Sequence, residues 1–259
     1  MNSSGAPCSR LSGSVCAVTG AARGIGLAIA QRFAAEGGRV ACIDVSAARL
    51  QAAVEALQAS GADARGYVLD VSRRADVHET FARIEADFAS PLEVLVNNAV
   101  WARFQPLAEI DGDMLSRMFA VGLHGLMWTL QAAAPQMQRR GGGAVVNLCS
   151  TAALQALPNA IAYSALKAGV LGLTRAAAVE LSVHRIRVTA IVPGMVGTPA
   201  SLAKYDTQTL AQRQAQLPLA RFGEPEEIAS AVAFLASADS SYVQGAALVA
   251  DGGWTISAA

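Results

Sequence analysis

The chain has 259 residues, of which 53% are hydrophobic and 15% are charged, and its 20 basic residues balance 20 acidic ones. This composition is typical of a globular protein and argues against a disordered chain. A net charge of zero gives no sign of a nucleic-acid-binding surface or a polybasic membrane patch. No apolar run reaches the roughly 18 residues of a membrane-spanning helix.

The first 13 residues, MNSSGAPCSRLSG, lack a secretory core and are predicted to be a flexible tail. The four cysteines show no metal-ligand spacing such as CxxC, so no metal site is expected. Free thiols fit a reducing compartment, which favours a cytoplasmic location. The folded domain is therefore predicted over 14–259.

Apolar runs alternate with helical patterns along the whole domain. Strands are predicted at 15–20, 39–44, 66–71, 92–99, 143–150, 186–194 and 247–253. Helices are predicted at 26–37, 47–61, 77–88, 111–138, 160–184 and 224–237. Continuous apolar strands are typical of a parallel sheet covered on both faces. We therefore expect one α/β domain, with a doubly wound parallel sheet of about seven strands.

One long segment, 195–223, departs from the alternation. It follows a predicted strand end and is more polar than the rest of the domain. A long insertion at the carboxyl end of a sheet strand is a good candidate for a substrate lid.

The first strand is followed by the turn TGAARGIG, in which Gly20, Gly24 and Gly26 are spaced as GxxxGxG. Glycines there let the backbone approach a pyrophosphate at a helix N-terminus. Asp44 ends the second strand, where a carboxylate can accept from ribose hydroxyls and would repel a 2′-phosphate. NAD is therefore favoured over NADP, although Arg23 within the turn could meet a 2′-phosphate.

Tyr163 and Lys167 lie four residues apart in a predicted helix, so they share one face. The pair could be a packed phenol beneath a snorkelling lysine. It could also be a phenol tuned for proton transfer, because a nearby ammonium lowers the pKa of a phenol. Motifs elsewhere in the chain must decide between these two interpretations.

Further motifs occur in a fixed order along the chain. They are LDV with Asp70 and Val71, NNA at 97–99, Ser150 followed by Tyr163 and Lys167, VPG with Thr198, GEPEEIA, and VADGG. Together with the glycine turn, these motifs resemble those of the short-chain dehydrogenase/reductase family. The resemblance covers nearly the whole chain, from about Ser14 to Trp254.

The resemblance implies a Rossmann-like fold and a nicotinamide cofactor. Ser150, Tyr163 and Lys167 are the implied catalytic residues, with Tyr163 as general acid/base. The implied cofactor-binding residues are Gly20, Arg23, Gly24, Ile25, Gly26, Asp44, Asp70, Val71, Asn97, Ala99, Tyr163, Lys167, Pro193, Gly194, Val196 and Thr198. The substrate is expected at Trp101, Ser150, Ala152, Tyr163 and Met195. Members of the family usually form dimers or tetramers, so a homotetramer or homodimer is expected.

Two positions depart from the family pattern. Val100 follows NNA where glycine is usual, and Gly122 stands where the family carries a catalytic asparagine at a helix kink. Glycine also permits a kink. We hypothesise that Gly122 keeps the bend and a water relay to Lys167, without the side chain.

The side chains expected around the substrate are mostly apolar, which predicts a neutral secondary alcohol, a cyclic alcohol, a polyol or a ketone rather than a charged acid. An NADPH-dependent 3-oxoacyl thioester reductase is the alternative, supported by Arg23 and Arg49 but opposed by Asp44. A non-catalytic dinucleotide sensor would not need Ser150, Tyr163 and Lys167 together.

Overall fold

The computed structural model describes residues 9–203 and 205–257. Its seven strands are all parallel and form one sheet. They are β1 (Val15–Thr19), β2 (Arg39–Asp44), β3 (Ala64–Val68), β4 (Val94–Asn97), β5 (Gly143–Leu148), β6 (Ile186–Pro193) and β7 (Ala247–Ala250). The spatial order β3-β2-β1-β4-β5-β6-β7 reverses direction between β1 and β4. The predicted doubly wound sheet is thereby confirmed.

Helices cover both faces of this sheet. They are α1 (Gly24–Ala35), α2 (Ala47–Ala59), α3 (Arg74–Phe88), α4 (Gly112–Phe119), α5 (Gly125–Arg140), α6 (Ile161–Leu181), α7 (Pro199–Leu202), α8 (Thr207–Ala215) and α9 (Pro225–Ala236). Side chains alternate between the faces of a strand, so Cys16 and Val18 of β1 join the core beneath α1, α2 and α9. Val15 and Ala17 face the other core, which α3, α5 and α6 cover.

Several element boundaries differ from the predictions. Strand β4 ends at Asn97 rather than 99, because the next side chain, Asn98, turns to donate to the carbonyl oxygens of Thr19 and Gly20. Strand β3 ends at Val68 rather than 71, and a tight turn around Asp70 follows it. The helix expected over 111–138 is divided into α4 and α5. The segment 195–223 carries the short helices α7 and α8.

The predicted tail of residues 1–13 is shorter than expected, because its described residues, from 9 onward, include packed side chains. Residues 1–8 lie outside the described part of the chain, but Leu11 is 2% exposed and belongs to the core beneath α1 and α9. The Arg10 guanidinium donates to both carboxylate oxygens of Glu36, one of them at 2.7 Å. The packed domain therefore begins by residue 10, because an apolar side chain and an ion pair hold that segment on α1.

Candidate active site

A cleft of about 640 Å³ opens at the carboxyl ends of the strands, around the point where the strand order reverses. Crevices at this position are the usual ligand sites of open α/β sheets. The cleft is lined by Gly20, Arg23, Gly24, Ile25, Gly26, Ile43, Asp44, Val45, Arg49, Leu69, Asp70, Val71, Ser72, Asn98, Ala99, Val100, Trp101, Arg117, Ala120, Val121, Thr198, Pro199 and Ala200.

The glycine turn brings backbone to the wall of this cleft. Gly24 has φ of +56° and begins α1, a left-handed conformation that glycine adopts without strain. The open N–H groups at the start of α1 carry a partial positive charge. This cradle fits the pyrophosphate of a dinucleotide.

Two carboxylates stand further along the cleft, each held by backbone. Asp44 accepts from the N–H groups of Ala22 at 3.2 Å and Ser46 at 2.9 Å. Asp70 accepts from the N–H and the hydroxyl of Ser72, at 3.0 and 2.7 Å. Both carboxylates therefore have set positions on the wall of the cleft.

Ser150, Tyr163 and Lys167 come together where β5 ends and α6 begins. Ser150 follows the strand, and its Oγ accepts from the N–H of Ala152 at 3.2 Å, which leaves the hydroxyl proton available to donate. The Ser150 side chain lies near the Tyr163 hydroxyl and acts to lower the pKa of that phenol. One helical turn beyond Tyr163, the buried Nζ of Lys167 donates to the carbonyl oxygen of Leu148 at 2.6 Å.

The electrostatics of this trio differ from the expectation. Burial raises the pKa of Tyr163 to about 12, and the nearby Ser150 side chain offsets only part of that effect. Burial also lowers the pKa of Lys167 to about 8. The lysine Nζ lies 5.7 Å from the centroid of the tyrosine ring and is engaged by Leu148. The expected lowering of the Tyr163 pKa by Lys167 is therefore wrong for this arrangement, because desolvation dominates.

The helix interruption at Gly122 is a π-helical turn, Ala120–His124, between α4 and α5. Such turns displace the helical hydrogen-bond ladder and are frequent at functional sites. The buried Leu166 of α6 occupies the space beside the glycine, since a Cβ at position 122 would lie 2.8 Å from its Cδ2 atom. The bend is thus present without the asparagine, and a leucine fills the room that a side chain would need.

A cavity of about 10 Å³ lies beside this turn, close to the volume that one water molecule requires. Its walls include Gly122, Lys167, Thr129 and Asn97. A water held there would lie near the buried ammonium of Lys167. The water itself stays a prediction.

Asn97 was expected to bind the cofactor, but its side chain points into the protein. It donates to Asn147 Oδ1 at 3.0 Å and accepts from the hydroxyl of Thr129 at 2.6 Å. Asn147 donates in turn to the hydroxyl of Thr174 at 3.0 Å. All four side chains are buried, so this network joins α5, β4, β5 and α6 beneath the site.

The other predicted cofactor-binding residues do not all lie on the cleft. Ten of the predicted cofactor residues line the cleft, namely Gly20, Arg23, Gly24, Ile25, Gly26, Asp44, Asp70, Val71, Ala99 and Thr198. Pro193, Gly194 and Val196 are not among its walls, since Pro193 ends β6, Gly194 packs on Asp251 and Val196 is buried in a bridge with Gly223. Arg117, Ala120 and Val121 were missed, because no motif marks them and only the helix fold brings them to the cleft.

The expected substrate residues do not form one group. Trp101 lies on the cofactor cleft, with the Arg117 guanidinium 4.5 Å from its ring centroid. Ala152 is buried beside Ser150, and Met195 is half-buried after β6. Phe104 contacts the Tyr163 ring directly, with centroids 5.1 Å apart.

The described residues contain no cluster of His, Cys, Asp or Glu that could hold a metal ion. Cys16, Cys42 and Cys149 are buried and free, whereas Cys8 lies outside the described residues. In the same part of the chain, no helix combines the length and apolar character needed to cross a membrane.

Known proteins with similar sequences are oxidoreductases. A family model for enoyl-(acyl carrier protein) reductase matches residues 20–255. D-threitol dehydrogenase of Mycolicibacterium smegmatis is 38% identical over 247 residues, 95% of each chain. Galactitol 2-dehydrogenase of Cereibacter sphaeroides is 41% identical over 95% of this chain and 97% of its own. A 3-oxoacyl-(acyl-carrier-protein) reductase of Thermotoga maritima is 36% identical over 95% of this chain and all of its own.

A solved structure has the same fold as this chain. A protein from Sinorhizobium meliloti, designated a short-chain alcohol dehydrogenase, superposes with a TM-score of 0.92 and 33% identity. The match covers 97% of this chain and 100% of the other. Sequence and fold therefore agree over nearly the full length.

Proposed function

Because the chain belongs to the short-chain dehydrogenase/reductase family of oxidoreductases, we propose that it interconverts a neutral secondary alcohol and its ketone with NAD as cofactor. The observation that carries this proposal is the proximity of Ser150, Tyr163 and the buried Lys167, beside the cleft where β5 ends and α6 begins. The relatives named dehydrogenases of threitol and galactitol support an alcohol as substrate.

The cleft residues fit a nicotinamide dinucleotide. The start of α1 would hold the pyrophosphate, and Thr198 lies on the same cleft for the nicotinamide end. Asp44 favours NAD, because its fixed carboxylate would bind the ribose hydroxyls and repel a 2′-phosphate. The bound cofactor supplies the hydride acceptor or donor, and the protein orients it.

The catalytic side chains divide the proton chemistry between them. Ser150 donates a hydrogen bond to the substrate oxygen and steadies the charge that develops there. Tyr163, with its raised pKa, is protonated at neutral pH and ready to give a proton to a ketone. In the oxidation direction it would accept the alcohol proton, and the positive charge of the oxidised cofactor would favour the phenolate. The cavity beside Gly122 has room for one water molecule, and this room supports a proton relay through water to Lys167.

A direct test compares NADH and NADPH binding to the wild type and to Asp44→Ala, by fluorescence or calorimetry. We expect the wild type to prefer NADH and the variant to lose that preference. Oxidation of secondary alcohols with NAD should then follow. A preference for NADPH would mean that Arg23 outweighs Asp44, and would favour the ketone reductase.

The 3-oxoacyl thioester reductase remains the second candidate. It is favoured by the exposed Arg23 and Arg49 on the cleft and by the relative from Thermotoga maritima. That enzyme would bind NADPH more tightly than NADH, so the same titration separates the two functions. A protein that bound cofactor without oxidising any alcohol would instead act as a sensor.

We also propose that the enzyme is a homotetramer or homodimer in the cytoplasm. Large apolar side chains are exposed on α4–α6 and at the C-terminal end, and a two-fold contact would bury them. They include Leu115, Met127, Ile161, Val179, Tyr242, Leu248, Val249 and Ile256. Light scattering of the purified protein measures the number of copies. The buried free thiols fit a reducing compartment.

A further inference from the structure

Phe104 and the catalytic tyrosine are in ring contact although 59 residues separate them. The two planes are inclined by 56° with centroids 5.1 Å apart, a geometry that aromatic pairs favour. Phe104 is nevertheless 41% exposed. A large apolar ring thus presents open surface immediately beside the proton-transferring group.

The position of Phe104 is held by the residue after it. Gln105 is buried, and its N–H donates to the carbonyl oxygen of Asn159 at 2.9 Å. Its side-chain amide donates to the carbonyl oxygen of Glu109. Because Asn159 lies just before α6, the loop that bears Phe104 is tied to the start of the helix that bears Tyr163. The ring contact is therefore built into the fold.

The surroundings of the pair are apolar as well. Tyr163 packs against a cluster of Met114, Met118, Ala162 and Leu166, to which Trp101 also belongs. An open-chain polyol would need a hydrogen-bond partner for each hydroxyl that it buries, whereas a flat apolar group gains from covering the exposed surface of the Phe104 ring.

We infer that Phe104 determines substrate specificity by receiving a flat apolar ring attached to the carbinol carbon. The substrate class is thus an aryl-bearing or alicyclic secondary alcohol, or the matching ketone, rather than an open-chain polyol. This inference rests on the proposed function, because it names the substrate of the same site.

The test measures kcat and KM with NAD for 1-phenylethanol and for D-threitol. Wild type is expected to favour 1-phenylethanol in kcat/KM by at least about tenfold, and Phe104→Ala to lower that value about fivefold, mainly through KM. Phe104→Tyr, which keeps a ring, should restore it. Leu107→Ala, which trims an exposed side chain of the same loop, is the matched control. NADH affinity should stay unchanged in all variants.

Three outcomes would overturn the inference, and they separate it from the proposed function. Preference for threitol, or an equal loss for both alcohols in Phe104→Ala, contradicts the role of Phe104 while leaving the alcohol dehydrogenase intact. Binding of NADH without oxidation of any secondary alcohol in a broad panel contradicts both proposals.

Discussion

The two halves of the sheet build their parts of the site by different means. In the half formed by β1–β3, the carboxylates on the cleft are held by backbone N–H groups of the turns that follow the strands, as Asp44 is by Ala22 and Ser46, and Asp70 by Ser72. In the half formed by β4–β6, the side chains of Lys167 and Tyr163 are held by contacts between different elements. Lys167 binds the carbonyl of Leu148, and Tyr163 contacts Phe104.

This contrast has consequences for substitutions. A change in the first half alters a local turn and should act mainly on cofactor affinity. A change in the second half disturbs packing between helices, strands and loops, and should act on turnover and on stability together. The buried network from Thr129 through Asn97 and Asn147 to Thr174 belongs entirely to the second half.

The largest expected effect is on turnover when the phenol is removed. Tyr163→Phe keeps the ring against Phe104 but removes the proton donor, so kcat should fall about 10³-fold. Cofactor affinity and melting temperature should stay near those of the wild type. Turnover within about tenfold of the wild type would show that another group transfers the proton.

A smaller effect is expected when a side chain is added at the π-turn. Gly122→Asn should lower the free energy of unfolding by about 1–3 kcal/mol, because its Cβ meets Leu166. In the double variant with Leu166→Ala, the two costs should be less than additive, which a double-mutant cycle from denaturant unfolding measures. Strict additivity would mean that the two positions do not share this space.

The same variants also test whether a water molecule beside Gly122 relays protons to Lys167. If the relay is retained, the double variant should turn over at least as fast as Leu166→Ala alone. A folded double variant without turnover would count against a water path at Gly122.

Stability should also respond to pH through the buried lysine. Burial lowers the pKa of Lys167 from 10.5 to about 8, so the unfolded chain binds more protons between those values. The contribution of Lys167 to stability therefore rises as the pH increases from about 8 towards 10.5, and it levels off at its lowest value below about 8. From pH 7 to pH 9 the contribution is about 1 kcal/mol.

Lys167→Met should abolish that rise, as measured by urea unfolding at both pH values. Burial also raises the pKa of Tyr163 and of the thiols of Cys16, Cys42 and Cys149, and these groups lower stability in both proteins as the pH approaches and exceeds 9. The quantity to compare is therefore the difference between the pH responses of wild type and variant. An identical pH response in wild type and variant would contradict the lowered pKa.

The smallest effect is expected in the first half. Gly24→Ala places a side chain at φ of +56° and should cost about 1 kcal/mol of stability and weaken NADH binding about fivefold. Gly61→Ala, at φ of +89° with open space around it, is the matched control. It should lose similar stability without losing NADH affinity. Equal NADH affinity in both variants would contradict a role of the turn at Gly24 in cofactor binding.

Much of the first half could be predicted from the sequence, because its signals are local. The strand over 39–44 and the glycine turn depend on neighbouring residues, and the structure has both at those positions. In the second half, β4 was predicted too long and the helix over 111–138 was predicted as continuous. Asn98 leaves the strand to bind the turn after β1, which is a contact across the sheet.

The sequence by itself determined the succession of strands and helices along the chain and the doubly wound class, since periodicity encodes them, whereas Ser150, Tyr163 and Lys167 were identified by their resemblance to a family motif. Tertiary structure decided what those residues meet. The Asn97 side chain points into the protein, Leu166 fills the space beside Gly122, and the Phe104 ring contacts the Tyr163 ring. Each of these outcomes depends on side chains far apart in the chain, whose packing no local pattern specifies.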